Sequence, residues 1–198
     1  LFGKILRSPH PHALIKSIDT SRAQNLDGVH TVLTGEDVPL RKFSFFDHLA
    51  DKTMFCSDKV RYVGDEVAAV AAVDWETATR ALELIEVDYE PLPAVFDPEE
   101  AMKTGSPLIH DGESNICFQS ERVFGDPEQA FRECDYICED RYVTSHVAHC
   151  CLESSNCIAR WDPPDRLTVW TSSQAPHTQR QEVARILGMP AGRVRFLG

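Results

Sequence analysis

The sequence has no long apolar run, no basic cluster and no common phosphate or metal signature, and each lack narrows the field. The longest unbroken apolar stretch is the seven residues Val67–Val73, far short of the roughly 18–20 that a membrane-crossing helix needs, so no span is expected. Lysine and arginine never cluster beyond the pair Arg41-Lys42, and 20 basic against 31 acidic side chains leave a net charge of −11. Nucleic acid is therefore not an expected partner, because phosphate binding rests on concentrated positive charge. Neither Gly-x-Gly-x-x-Gly after a strand nor Gly-x4-Gly-Lys-Ser/Thr occurs, which removes the usual nucleotide cradles. Cys-x2-Cys is missing too, and with it the commonest knuckle of zinc ribbons and many iron–sulfur sites. The start, Leu1-Phe2-Gly3-Lys4, carries neither Met nor a signal-peptide series, so the chain reads as an excised piece.

What is present suits a folded protein. A chain of 198 residues with 42% hydrophobic and 26% charged side chains can bury about 70% of its unfolded surface. Its seven cysteines (Cys56, Cys117, Cys134, Cys138, Cys150, Cys151, Cys157) are an odd number. A chain this size needs no staples, so reduced thiols in a cytoplasmic compartment are expected. Cys134 and Cys138 could share a face and Cys150-Cys151 are adjacent, but ordinary buried thiols explain them better than a metal cluster.

Periodicity and breakers outline the elements. Leu1–Leu6, Ala13–Ile18 and Val29–Thr34 read as strands, the first two separated by the double-proline turn Ser8-Pro9-His10-Pro11. Glu66–Val73 is a Val/Ala-rich run suited to a strand buried on both faces. Asp74 is placed to cap a helix carrying Ala78, Ala81, Leu82 and Ile85 at helical spacing, with Glu86–Tyr89 as a return strand. Strand, helix and strand together predict a right-handed crossover unit. Pro98–Met102 reads as one short helix, and the loop-rich Gly105–Ser114 marks a boundary between domains 1–108 and 109–198. Beyond it, Asn115–Val123, Tyr136–Ser145, Asn156–Trp161, Leu167–Thr171 and Val194–Leu197 are expected strands. Asp126-Pro127-Glu128-Gln129 opens a helix ending near Cys134, and Pro176–Leu187 is a helix stopped by Gly188. The fold class is α+β.

Three places could carry chemistry. Val63-Gly64-Asp65-Glu66 holds a single glycine and reads as a structural turn. His146, His149, Cys150, Cys151 and Glu153 are dense in capable side chains, but neighbours on a strand face opposite ways, so a His149–Cys150 nucleophile pair is excluded there. His149 with Cys151 or Glu153 could share a face and a metal; the preferred reading is a buried sheet edge with Glu153 bonded to backbone or an arginine. Thr171-Ser172-Ser173-Gln174-Ala175-Pro176-His177 is a polar loop leaving a strand and entering a helix, a place where free backbone N–H groups meet oxygen-rich ligands. Two readings stand equal: Ser173 caps the helix, or the loop touches a ligand.

The motifs also accumulate into a family. Leu1–Ala13, Ile18-Asp19-Thr20 with Gly28-Val29, Val60-Arg61-Tyr62-Val63-Gly64-Asp65-Glu66-Val67-Ala68 and Val87–Ala94 resemble the hammerhead domain in large subunits of xanthine dehydrogenase and aldehyde oxidase-type molybdenum hydroxylases. His149-Cys150-Cys151-Leu152-Glu153 and Leu167–His177 resemble the opening of that family's molybdopterin-binding domain. The segment Phe43–Asp58 matches no familiar pattern.

That resemblance implies a mixed α/β hammerhead domain over 1–108, then the start of a mixed α+β molybdopterin-binding domain over 109–198. The implied cofactor is molybdopterin or its cytosine dinucleotide. The implied chemistry is hydroxylation of an aldehyde, purine or other N-heterocycle with water-derived oxygen, or reductive removal of an aryl-CoA hydroxyl. By residue, Gln174 matches a glutamine whose amide bonds the apical oxo ligand of molybdenum, and His149 and Glu153 match a motif assigned only structural support. The general-base glutamate and the Gly-Gly-Phe-Gly loop have no counterpart among the 198 residues, so no catalytic residue is assigned and the chain alone is expected to be inert. A [2Fe-2S] cluster and FAD are expected on other chains or segments, with iron–sulfur and flavin subunits as partners in an oligomeric cytoplasmic enzyme. A non-catalytic binding or assembly module without molybdenum is the alternative.

Overall fold

The computed structural model describes residues 1–44 and 49–198; Phe45–His48, within the unfamiliar segment Phe43–Asp58, lie outside the described residues. Strands β1 (Phe2–Arg7), β2 (Ala13–Asp19) and β3 (Val29–Thr34) come first, with the short helix α1 (Ser21–Gln24) between β2 and β3. Then follow β4 (Lys59–Val60), β5 (Glu66–Ala72), helix α2 (Trp75–Glu83) and β6 (Glu86–Pro91). They form two three-stranded sheets, ordered β1-β5-β3 and β4-β2-β6, with every pairing antiparallel.

β5 joins the two cores. Its period-two alternation sends Ala68, Val70 and Ala72 into one cluster with Val32, Ala78, Ala81 and Ile85, and Val67 into another with Ala13, Cys56 and Val60. One face is buried along its length; on the other, Val67 is buried and Ala69 and Ala71 only half-buried, so the expected burial on both faces is met fully only at the Val67 end. Alanines at the α2–sheet contact have no bulk beyond Cβ, which lets helix and sheet approach closely. α2 begins where Asp74 accepts a hydrogen bond from Thr77 N at 2.7 Å, satisfying one of the donors a helix start leaves free.

The expected crossover is corrected. β5 and β6 lie in different sheets. β1 and β3 occupy both edges of β5, so β6 has no edge there and pairs with β2 instead. A parallel strand–helix–strand unit does exist, further along. β7 (Cys157–Asp162) pairs antiparallel with β8 (Arg166–Thr171), and β8 pairs parallel with β9 (Val194–Leu197). Helix α5 (Pro176–Leu187) makes the crossover and closes a small core of Leu167, Val169, Ala184 and Val194. It stops at Gly188, whose φ of 68° is the left-handed region glycine adopts freely. Arg41 Nη1 donates to Arg185 O at 2.6 Å, a tie from the first half of the chain to the carbonyl end of α5.

Between the halves lie the short helices α3 (Pro98–Ala101) and α4 (Pro127–Glu133), capped by Asp97 and Asp126. The strands expected at Asn115–Val123 and Tyr136–Ser145 are absent: residues 116–156 hold α4 and no ladder, and their side chains are exposed. A strand needs a partner edge, and among the described residues neither segment has one. All seven cysteines are free thiols, Cys56 buried and six exposed. This corrects the expectation of buried thiols at Cys134, Cys138, Cys150 and Cys151, which lie in the ladder-free, exposed stretch 116–156. Among the described residues no helix is long and apolar enough to cross a membrane.

Candidate functional site

The polar loop after β8 forms one wall of the larger of two open cavities around the third sheet, β7-β8-β9. That cavity, about 720 Å³, is bounded by Thr171–Gln174, by Trp170 and Ile158 of the sheet, by Leu197-Gly198 at the end of β9, and by Cys151, Glu153 and Asn156 from the segment before β7. Tertiary structure thus brings Glu153 and Cys151 to the same depression as Gln174. His146, His149 and Cys150 are not part of its lining.

Local geometry decides the two readings of the loop. Ser173 does not cap α5: its Oγ accepts from Ala175 N at 3.1 Å, within the loop, and the residue at the cap position is Ala175, which offers no side-chain acceptor. Pro176 takes the first helical position, where its missing N–H costs nothing. Thr171 Oγ1 donates to Asn156 O at 2.8 Å, pinning the loop to the start of β7. Gln174 is exposed, and among the described residues its carboxamide has no hydrogen-bond partner. Gly198 runs so close beneath that a Cβ there would lie 3.0 Å from Ser173 O.

The reading of 146–153 as a buried sheet edge is corrected. These residues belong to no strand, all are exposed, and Cys150 has a φ of 47° that breaks extended geometry. No group of three His, Cys, Asp or Glu among the described residues converges to hold a metal ion. What the cavity presents is amide, hydroxyl and backbone, with Glu153 its sole carboxylate and Cys151 its thiol. Such a surface can grip a neutral or oxygen-rich ligand through hydrogen bonds, but it supplies no paired acid and base.

The turn at Gly64, which the sequence marks only as structural, adjoins a cluster of charged side chains. Gly64 has a φ of 98°, and its N–H donates to Ser8 O at 2.8 Å, tying the turn to the Ser8–Pro11 corner. Beside it, Glu66 takes Arg7 Nη1 at 2.7 Å on one oxygen and Lys52 Nζ at 2.6 Å on the other, with Tyr62 OH at 3.1 Å. Partial burial alone would push the Glu66 carboxyl up; the hydrogen bonds and charge of Lys52, with Arg7 and Tyr62, hold it below its ordinary value. Cys56 lies alongside, and burial, with the nearby Asp65 carboxylate, pushes its thiol up to about 12. A thiol so disfavoured as thiolate is no nucleophile, so the cluster is an ion-paired strut. The motif Gly64-Asp65-Glu66 could have signalled it, but Arg7 and Lys52 lie far from Glu66 in the chain, beyond any local pattern.

Two family models together match most of the chain. Residues 1–93 match the aldehyde oxidase and xanthine dehydrogenase a/b hammerhead domain, and residues 109–197 match the molybdopterin cofactor-binding domain. The nicotinate dehydrogenase large molybdopterin subunit of Eubacterium barkeri is 38% identical over 197 residues, covering all of this chain and 46% of that protein. The xanthine dehydrogenase molybdenum-binding subunit of Escherichia coli is 33% identical over 206 residues, covering 99% of this chain and 27% of that one. The structure of CO dehydrogenase from Oligotropha carboxidovorans superposes with a TM-score of 0.83 at 36% identity, over 97% of this chain and 26% of that chain. The chain spans less than half the length of these relatives.

Proposed function

The chain belongs to the aldehyde oxidase and xanthine dehydrogenase family, and from that premise we propose that it is the N-terminal part of a molybdenum hydroxylase large subunit whose Gln174 loop forms one wall of the cofactor site. The observation that carries this reading is the unpartnered carboxamide of Gln174 in the lining of an open cavity shared with Thr171, Ser172 and Glu153. The polar set fits molybdopterin: the Ser172 hydroxyl, the Gln174 amide and exposed backbone suit a ligand rich in oxygen and nitrogen. When bound, that group supplies the redox chemistry, hydroxylating an aldehyde, purine or other N-heterocycle with water-derived oxygen, or reductively dehydroxylating an aryl-CoA. This chain's own residues position it. The Gln174 side-chain N–H would donate to an oxygen of the group and would stabilise negative charge there. Thr171, through Asn156, holds the loop's height above the sheet. Ser173 Oγ accepts from Ala175 N and so stabilises the turn that carries Gln174.

No residue of this chain corresponds to the family's general-base glutamate, and the 198 residues alone are expected to turn over no substrate. Iron–sulfur and flavin subunits or domains complete the electron path in this reading. The test is Gln174→Ala in the parent enzyme, assayed as turnover per bound molybdenum. A loss of about 10- to 1,000-fold in kcat is expected for a donor aimed at developing charge, with KM little changed because the substrate is not touched. Unchanged turnover per molybdenum, with at most a small loss of stability, removes the contact.

A further inference from the structure

Cys150 and Cys151 are the one pair of adjacent cysteines in the sequence, and the fold leaves both uncommitted. Both are free and exposed. Neither thiol has a hydrogen-bond partner among the described residues, whereas Cys134 Sγ donates to Ala130 O at 3.1 Å and Cys138 Sγ to Asp140 Oδ2 at 3.2 Å. Cys151 lines the cavity that also carries Gln174 and Glu153.

The backbone decides what the pair can do. Neighbours on a strand point to opposite faces, but Cys150 has a φ of 47° and belongs to no strand, so that alternation does not hold the two thiols apart. Their peptide bond is trans, which sets the two Cα atoms about 3.8 Å apart. Disulfides usually span about 4.4–6.8 Å between Cα atoms. Joining these two sulfurs directly is therefore disfavoured, and the pair persists as a dithiol. An inserted atom that bonds each sulfur separately enlarges the ring and lifts that constraint. Zinc is a poor occupant, because it takes four ligands and no group of three His, Cys, Asp or Glu converges among the described residues. Trivalent arsenic that already carries a carbon substituent needs two thiolates and no more, and it is soft enough to prefer sulfur.

We propose that Cys150-Cys151 is a capture site for trivalent organoarsenicals, each sulfur giving one bond to arsenic, at the wall of the cavity shared with Gln174. With an arsenoxide R–As=O, two S–As bonds form, the As=O bond breaks, and both thiol protons leave with its oxygen as water. Arsenic stays trivalent throughout, so no oxidant or reductant is required. Once one sulfur is bonded the second bond is intramolecular and forms at high effective concentration, so the bridge outlasts any adduct on a single thiol. The site does not rest on the cofactor reading: it needs neither the Gln174 contact nor molybdenum.

Phenylarsine oxide, added at one equivalent to the reduced native chain, tests it. Of the six exposed thiols, four should remain reactive, and intact mass should show one phenylarsenic group. The group should survive a wash with excess 2-mercaptoethanol and be removed by 2,3-dimercaptopropanol, itself an adjacent dithiol. C150S and C151S should each weaken retention by about 100-fold, the gain expected from a tethered second bond. C134S and C138S should leave retention unchanged. Six reactive thiols after treatment, retention by C150S or C151S equal to that of the unaltered chain, or loss of retention in C134S or C138S overturns the site.

Discussion

Glu66 offers the sharpest test of how the first half is held together. Glu66→Ala removes a carboxylate that joins β1, the Lys52 segment and the Tyr62 turn through contacts of 2.7, 2.6 and 3.1 Å. The side chain of Glu66 is only 17% exposed, while Arg7 is 51% and Lys52 35% exposed. Hydrogen bonds to charged groups contribute about 1.5–3 kcal/mol when shielded, and solvent-exposed pairs about 0.2–1 kcal/mol. With Arg7 discounted as half-exposed and Lys52 counted nearer the shielded range, the loss is about 2–3 kcal/mol, or roughly 5–10 °C in Tm for a chain of this length. The pH dependence has a definite sign. A carboxyl held below its ordinary 4.5 contributes stability that is full above that value and is lost as pH falls through the lower folded-state value. Thermal and urea unfolding of wild type and variant should therefore differ most at neutral pH and converge towards about pH 3. A gap under about 0.5 kcal/mol at pH 7, of the size that unremarkable surface substitutions produce, or an equal gap at both pH values, would refute the strut.

Two further outcomes follow from backbone and burial. Gly28→Ala should cost about 2–4 kcal/mol, because a φ of 88° adds strain and the new Cβ would lie 2.9 Å from Val73 Cγ2; Gly64→Ala, at φ 98° with nothing within 4 Å, should cost only the strain, about 1–2 kcal/mol, and equal losses in urea midpoints would contradict this. In a thiol titration of the native chain the six exposed cysteines should react quickly and Cys56 only after denaturation, giving seven in total; rapid reaction of Cys56 would show that its pocket is open.

How much was legible depends on how local the cause is. α2 and α5 were readable because their causes lie within a few residues: Asp74 bonds Thr77 three positions on, and Gly188 takes the left-handed turn that ends α5. β5 was readable as a strand from composition alone. Its partners were not, because Val/Ala-rich strands pair equally well in either direction and the choice rests on which edges the rest of the chain leaves free. The failed strands at 115–123 and 136–145 have the same origin, since local propensity was present and the partner edge was not. At the candidate site, the motif from Leu167 to His177 pointed to Gln174. That Ser173 turns inward and Glu153 reaches the same cavity became visible only once β7 and β8 were paired.

By itself the sequence determined the charge, α2 with its Asp74 cap, α4 with its Asp126 cap, α5 with its Gly188 stop, the apolar strand β5 and the family, since each is written in contiguous residues whose side chains act on their own backbone or in motifs that keep their order. Tertiary structure alone decided that β5 is shared between two cores while β6 belongs to the other sheet, and that Glu66 gathers Arg7 and Lys52. It also decided that Cys150 and Cys151 stand exposed outside any strand, with Cys151 in the wall of the Gln174 cavity. The physical reason is the same in each case: pairing and ion-pair energies depend on distances of a few ångströms between groups far apart in the chain, and such distances exist only after folding.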